Sequence, residues 1–148
     1  MPEICIDANV VVKWYTAEDF RDKAMALADE CFDQGIEMIA PEVFFAEVSS
    51  AIRRKVHRKL LLPAEGLLAV GVLSRTEIIP YSLKDLYKGA WRIAETYGLP
   101  TLYDAYYLAL SEQRGCDFWT ADERLVNSVS GLSYIKHIRD FTAGVLGE

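Results

Sequence analysis

Short apolar runs that alternate with longer amphipathic stretches restrict this chain to a small set of architectures. Glu3–Asp7, Glu37–Ala40, Thr76–Pro80 and Cys116–Thr120 read as strands, with Ser133–His137 a candidate fifth. Glu18–Gln34 carries Phe20, Ala24, Leu27, Ala28 and Cys31 at helical spacing and stops at Gly35. A helix from Glu42 to near Leu60 has Phe44, Val48, Ile52 and Val56 as its stripe, and Pro63 opens another with Leu67, Leu68, Val70 and Leu73 as its expected buried face. Leu83–Tyr97 turns Leu86, Ala90, Ile93 and Ala94 inward before Gly98, and a helix from about Thr101 to Arg114 ends at Gly115. Short helices follow Asp7 and Asp122, and Phe141–Leu146 is a terminal turn. Strands alternating with helices predict right-handed crossovers and an α/β fold in three layers, α/β/α, around a central mostly parallel sheet of four to five strands.

With 148 residues, 51% hydrophobic and 26% charged, the chain suffices for one core, so residues 1–148 are expected to form a single domain. No apolar stretch approaches the roughly 18 residues of a membrane span. Nor does a basic-then-apolar leader open the sequence, so a cytoplasmic protein without membrane association is expected. Cys5, Cys31 and Cys116 are odd in number and lack C-x-x-C spacing, which suits reduced thiols better than disulfides or zinc. His57 and His137 are too far apart for a local metal motif. A net charge of −6 argues only weakly against a phosphate-rich partner, because acids that hold divalent cations lower the net charge without repelling a polyanion.

Four acids stand where this architecture gives them meaning. Asp7 ends the first strand, at the edge beyond which open α/β sheets bind ligands, and equally well placed to cap the next helix. Asp122 follows the fourth strand in the same way, with the same two readings. Glu47 flanks an apolar stripe, where it either reaches a polar pocket or snorkels to solvent. Asp104 lies in a first helical turn, where Thr101-x-x-Asp104 is also close to a capping box. Carboxylates that meet raise one another's pKa unless a cation neutralises them. Oxygen donors without His or Cys favour Mg²⁺ or Mn²⁺ over zinc.

Ile6-Asp7-Ala8-Asn9-Val10, Pro41-Glu42-Val43 leading to Glu47, Leu102-Tyr103-Asp104-Ala105 with Tyr107-Leu108-Ala109, and Trp119-Thr120-Ala121-Asp122 cover nearly the whole chain. In this order and spacing they resemble the PIN-domain ribonucleases, especially the VapC toxins of prokaryotic toxin–antitoxin pairs. The resemblance implies a PIN-like fold and a metal-dependent endoribonuclease that hydrolyses RNA phosphodiester bonds, leaving a 5′-phosphate and a 3′-hydroxyl. It makes Asp7, Glu47, Asp104 and Asp122 the catalytic quartet, with Asp7, Asp104 and Asp122 holding Mg²⁺ or Mn²⁺ directly or through water. Glu47 is then either a further ligand or an outer group. Thr120 matches the hydroxyl residue two positions before the last acid, and Asn9 the small polar companion of the first. A homodimer, an RNA substrate and a cognate antitoxin protein are implied as well. Alternatives are a non-toxin PIN-domain RNA-processing nuclease and a non-catalytic RNA- or protein-binding module of the same fold.

Arg53-Arg54-Lys55-Val56-His57-Arg58-Lys59 continues the Glu47 helix, and at about 3.6 residues per turn Glu47, Arg54 and Arg58 fall near one line. That line offers RNA phosphates a track, and a solvated basic helix end is the competing reading. Trp14 and Tyr15 are candidates for stacking on a base. Leu60-Leu61-Leu62 and Leu67-Leu68 either serve protein contacts or belong to the core. Two rival families fit less well. An aspartyl phosphoryl-transfer enzyme commonly has a second Asp where this chain has Asn9. A receiver-type domain, to which Lys136 would point, needs paired acids where only Glu3 begins the strand.

Overall fold

The computed structural model describes residues 2–147. Five strands, β1 (Glu3–Ile6), β2 (Glu37–Pro41), β3 (Ile78–Tyr81), β4 (Phe118–Thr120) and β5 (Ile135–His137), pair in parallel in the order β3-β2-β1-β4-β5. Seven helices join the described strands: α1 (Ala8–Val11), α2 (Arg21–Gln34), α3 (Phe44–His57), α4 (Pro63–Ser74), α5 (Tyr87–Tyr97), α6 (Tyr103–Arg114) and α7 (Glu123–Ser128). The expected α/β architecture is therefore present, with the fifth strand included. With all strands parallel, each connection is a crossover, and right-handed crossovers put α1–α4 on one face and α5–α7 on the other.

Register carries this layering down to side chains. Cys5 is paired with Ile39 on one side and Phe118 on the other, so the three share a face, and the Phe118 ring lies 5.5 Å from that of Tyr107 in α6. Ile6 and Trp119 point the opposite way, where Trp119 meets Phe141 edge-on at 5.8 Å. Apart from the half-buried Glu3, both central strands are closed to solvent, as a parallel sheet covered by helices requires. From β1 the chain steps to β2 and β3; from β4 it steps the other way to β5. The boundary between β1 and β4 is thus the switch point, where the C-terminal strand ends border a crevice.

Several element boundaries differ from the sequence pattern for local reasons. α2 begins at Arg21 rather than Glu18, because Phe20 takes a left-handed backbone (φ 64°) at its N-cap and turns outward instead of joining the stripe. α3 ends at His57; Arg58 is its C-cap, and Lys59 at φ 61° breaks the helix before Leu60. Arg58, the C-cap, still donates its backbone N–H to the Arg54 carbonyl at 2.9 Å, so it stays one turn beyond Arg54 on the line from Glu47. β3 is shifted to Ile78–Tyr81. In α4 the buried face is Gly66, Ala69 and Leu73, whereas Leu67 and Leu68 are exposed, as are Leu60 and Leu62. The cause is close helix packing: a Cβ on Gly66 would stand 2.5 Å from Val56 Cγ2 of α3, so α4 seats its small residues and turns the leucines out.

Candidate active site

The switch point brings Asp7 and Thr120 together through the backbone. The Asp7 N–H donates to the Trp119 carbonyl at 3.0 Å, extending the pairing of β1 with β4 to the residue after each pair of buried side chains. Thr120 is fully buried, and its hydroxyl donates to Asp7 Oδ2 at 2.8 Å. Thr120 Oγ1 itself accepts from the Asp122 N–H at 3.0 Å and from Asn9 Nδ2 at 3.3 Å. One donor and two acceptor sites are all a hydroxyl has, so Thr120 is saturated by site residues. Asn9 closes the unit by accepting the Ala121 N–H on Oδ1 at 3.0 Å.

The two aspartates that end strands turn out to differ. Asp122 caps α7, its Oδ1 accepting from the Leu125 N–H at 3.1 Å. Asp7 occupies the N-cap position of α1 without making a side-chain capping bond; its carboxylate is turned to Thr120 instead. The capping reading of Asp104 also fails, because Leu102 is the N-cap of α6 and no side chain caps that helix. Glu47 on α3 is half-buried and accepts a 2.7 Å hydrogen bond on Oε1 from the Tyr107 hydroxyl of α6, so it is not a snorkelling surface residue.

Burial pushes the Asp7 carboxyl up to about 7; the Thr120 hydrogen bond opposes this, and the charges of Asp104 and Glu47 reinforce it. Asp104 is raised by burial and then by Asp122. Glu47 is raised by burial, eased by Tyr107 and raised again by Asp104. All four predicted acids therefore act on at least one other, in one electrostatic neighbourhood at the switch point. Burial and the adjoining carboxylates push the Tyr107 phenol far up, which keeps it a donor.

Among the described residues, no group of three or more His, Cys, Asp or Glu side chains forms a ready-made metal cage. The donor chemistry nevertheless fits a hard divalent cation: the site offers carboxylate oxygens whose pKa values are raised first by burial and then by neighbouring carboxylates, both costs of negative charge that a bound cation would offset. Histidine and cysteine do not compete for that role. His57 is exposed at the end of α3, and buried His137 accepts the Arg139 N–H on Nδ1 at 3.0 Å. The three thiols are free, and burial pushes Cys31 up to about 12 and Cys116 up to about 11, which keeps them protonated.

Of the supporting residues, Asn9 and Thr120 are central, and Arg54 is exposed on α3. Lys55 is engaged by Glu18 at 3.1 Å. Trp14 donates its Nε1–H to the Ala24 carbonyl at 3.0 Å and so anchors α2. Tyr107 has no site role in the sequence pattern, yet it had a signal: a tyrosine in a buried stripe, one helical turn after Asp104, needs a partner for its hydroxyl.

Comparison with known proteins bears on the family and the fold. The family model described as PIN domain matches residues 4–129. Ribonuclease VapC9 of Mycobacterium tuberculosis is 33% identical over 85 residues, which are 57% of this chain and 65% of that protein; the matched part is thus less than two thirds of this curated relative. Ribonuclease VapC12 of the same organism is 34% identical over 95 residues, 64% of this chain and 71% of that protein. The crystal structure of PAE2754 from Pyrobaculum aerophilum superposes with a TM-score of 0.65 at 19% identity, over 93% of this chain and 92% of the other, a likeness of fold. On the match to residues 4–129 and the relationship to VapC12, the chain belongs to the PIN-domain family.

Proposed function

We propose that this chain is a metal-dependent endoribonuclease that hydrolyses RNA phosphodiester bonds and is the toxin of a VapBC-type pair. The observation that carries the proposal is the set of four interacting acids at the switch point, with Asp7 held near neutrality, in a chain whose relatives are named VapC ribonucleases. Asp7, Asp104 and Asp122 are assigned to hold Mg²⁺ or Mn²⁺, and Glu47 completes the catalytic quartet. The chemistry that such a cation supplies when bound is acidification of an attacking water and neutralisation of charge on the phosphoryl oxygens.

The chain's own residues do the rest. Thr120 fixes Asp7 and Asp122 relative to each other, so the strand pair, not flexible side chains, sets their spacing. Asp7 takes up or gives up a proton near pH 7 and thereby decides how much negative charge the site presents. Arg54, about two turns from Glu47 on α3, is assigned to an RNA phosphate. The exposed leucines Leu60, Leu62, Leu67 and Leu68 support protein contacts, for which an antitoxin and a second copy of the chain are the proposed occupants. A single domain working in the cytoplasm is consistent with three free thiols and with the lack, among the described residues, of a helix long and apolar enough to cross a membrane.

The test is incubation with structured RNAs and Mn²⁺ or Mg²⁺, beside an Asp104→Asn variant and an EDTA control. Cleavage by the wild type alone is expected, and cleavage that survives the substitution or the chelator refutes the proposal. For the toxin role, a short neighbouring reading frame encoding a DNA-binding protein is expected; without one, a housekeeping RNA-processing nuclease is favoured.

A further inference from the structure

We propose that Tyr107 is a positioning residue for Glu47, fixing that carboxylate against the Asp7–Asp104 cluster; the proposal rests on the ribonuclease reading above. Glu47 is less constrained by its own backbone than Asp7 and Asp122. Asp7 directly follows β1 and Asp122 lies two residues after β4, whereas Glu47 extends from the first turn of a helix on a side chain with three rotatable bonds. Its described side-chain hydrogen bond comes from a residue 60 positions away, the Tyr107 hydroxyl at 2.7 Å.

Tyr107 is well suited to impose a position. It is wholly buried; its ring packs on Phe118 of β4 at 5.5 Å, and its backbone carbonyl accepts the Cys5 thiol of β1 at 3.7 Å. The two central strands therefore hold the tyrosine, and the tyrosine holds Glu47. α6 thus supplies Asp104 from its first turn and, one turn later, the donor that orients a second acid from α3, a helix of the opposite face. Because the hydrogen bond occupies Oε1, Oε2 is left for the cluster. In this proposal Glu47 is a further ligand beside Asp7, Asp104 and Asp122, and outer groups that orient a ligand in this way typically change metal affinity by 10- to 100-fold when removed.

Tyr107→Phe keeps the ring and its packing while deleting the donor. Mn²⁺ binding to the RNA-free protein, followed by electron paramagnetic resonance of the free ion, is expected to weaken by about tenfold, with a cooperative melt retained. In a Glu47→Ala background, where the acceptor is gone, the same substitution is expected to change Mn²⁺ affinity less than about twofold, because residues that act through one contact are not additive. Wild-type Mn²⁺ affinity in Tyr107→Phe, an equal loss in both backgrounds, or loss of the cooperative melt overturns the inference, the last by assigning the hydroxyl to the fold. A wild-type protein that neither binds Mn²⁺ nor cleaves RNA overturns the ribonuclease reading itself, which separates the two failures.

Discussion

Asp7→Asn is expected to stabilise the metal-free protein at pH 8. Burial and the adjoining acids hold the Asp7 carboxyl near pKa 7 against an ordinary 3.8. The folded chain then binds the proton more tightly than the unfolded chain, so Asp7's contribution is most favourable below pH 3.8 and is lost as pH rises through about 7. At about 1.4 kcal/mol per pKa unit the full cost is about 4 kcal/mol at pH 8, of which roughly 2–3 kcal/mol develops between pH 5 and pH 8. For a chain of this size that is roughly 5–10 °C in Tm. Asparagine is nearly isosteric, still offers an oxygen to the Thr120 hydroxyl, and cannot ionise. Thermal melts of both proteins in EDTA at pH 5 and pH 8 read the effect: the variant's advantage should grow with pH. An advantage that is the same at both pH values, or a variant less stable than wild type at pH 8, refutes the assignment of a buried, destabilising charge. Mn²⁺ at pH 8 should raise the wild-type midpoint and leave the variant's nearly unchanged.

Other expectations follow from single contacts. Thr120→Val removes the donor to Asp7 and the acceptor of the Asp122 N–H and Asn9 amide in a fully buried place, and should cost about 1–3 kcal/mol by urea denaturation; an unchanged midpoint refutes the hub role. Arg54→Ala should reduce the slope of log K against log salt for single-stranded RNA by about 0.7, and an unaltered slope removes Arg54 from the phosphate track. Gly66→Ala forces a Cβ into Val56 at the α3–α4 contact and should destabilise by about 1–3 kcal/mol while leaving Mn²⁺ affinity intact.

The sheet and most helices were legible because each strand is a compact apolar run and Gly35, Gly98 and Gly115 do stop their helices with left-handed backbones. α4 was not, since Leu67, Leu68, Val70 and Leu73 all compete in a helix apolar on every side, and only packing against α3 decides that Gly66 and Ala69 go inward. At the site, strand ends pointed to Asp7 and Asp122, and the motif order brought in Glu47 and Asp104. Local spacing could not decide capping from clustering, because a cap is a property of a few neighbouring residues while Asp7's partner Thr120 is 113 positions away. Tyr107 was hidden for the same reason: its hydroxyl matters through a residue on another helix.

The position of Asp7 also makes its proton and a divalent cation rivals, and this gives the site a pH dependence of fixed sign. A cation binds the ionised carboxylate, so binding must release the proton that Asp7 holds below about pH 7. With that pKa, one unit below it the ionised fraction is about one tenth, and one unit above it is nearly complete. Mn²⁺ affinity of the RNA-free protein should therefore be about tenfold weaker at pH 6 than at pH 8 and should level off above pH 8. Thr120→Val, by deleting the hydrogen bond that favours the ionised form, should move this transition to higher pH. Titrations at pH 6, 7 and 8 decide the matter. Affinity that is flat across this range would mean that Asp7 is already ionised there, and the buried, repelled carboxylate from which both the stability and the binding arguments start would have to be abandoned.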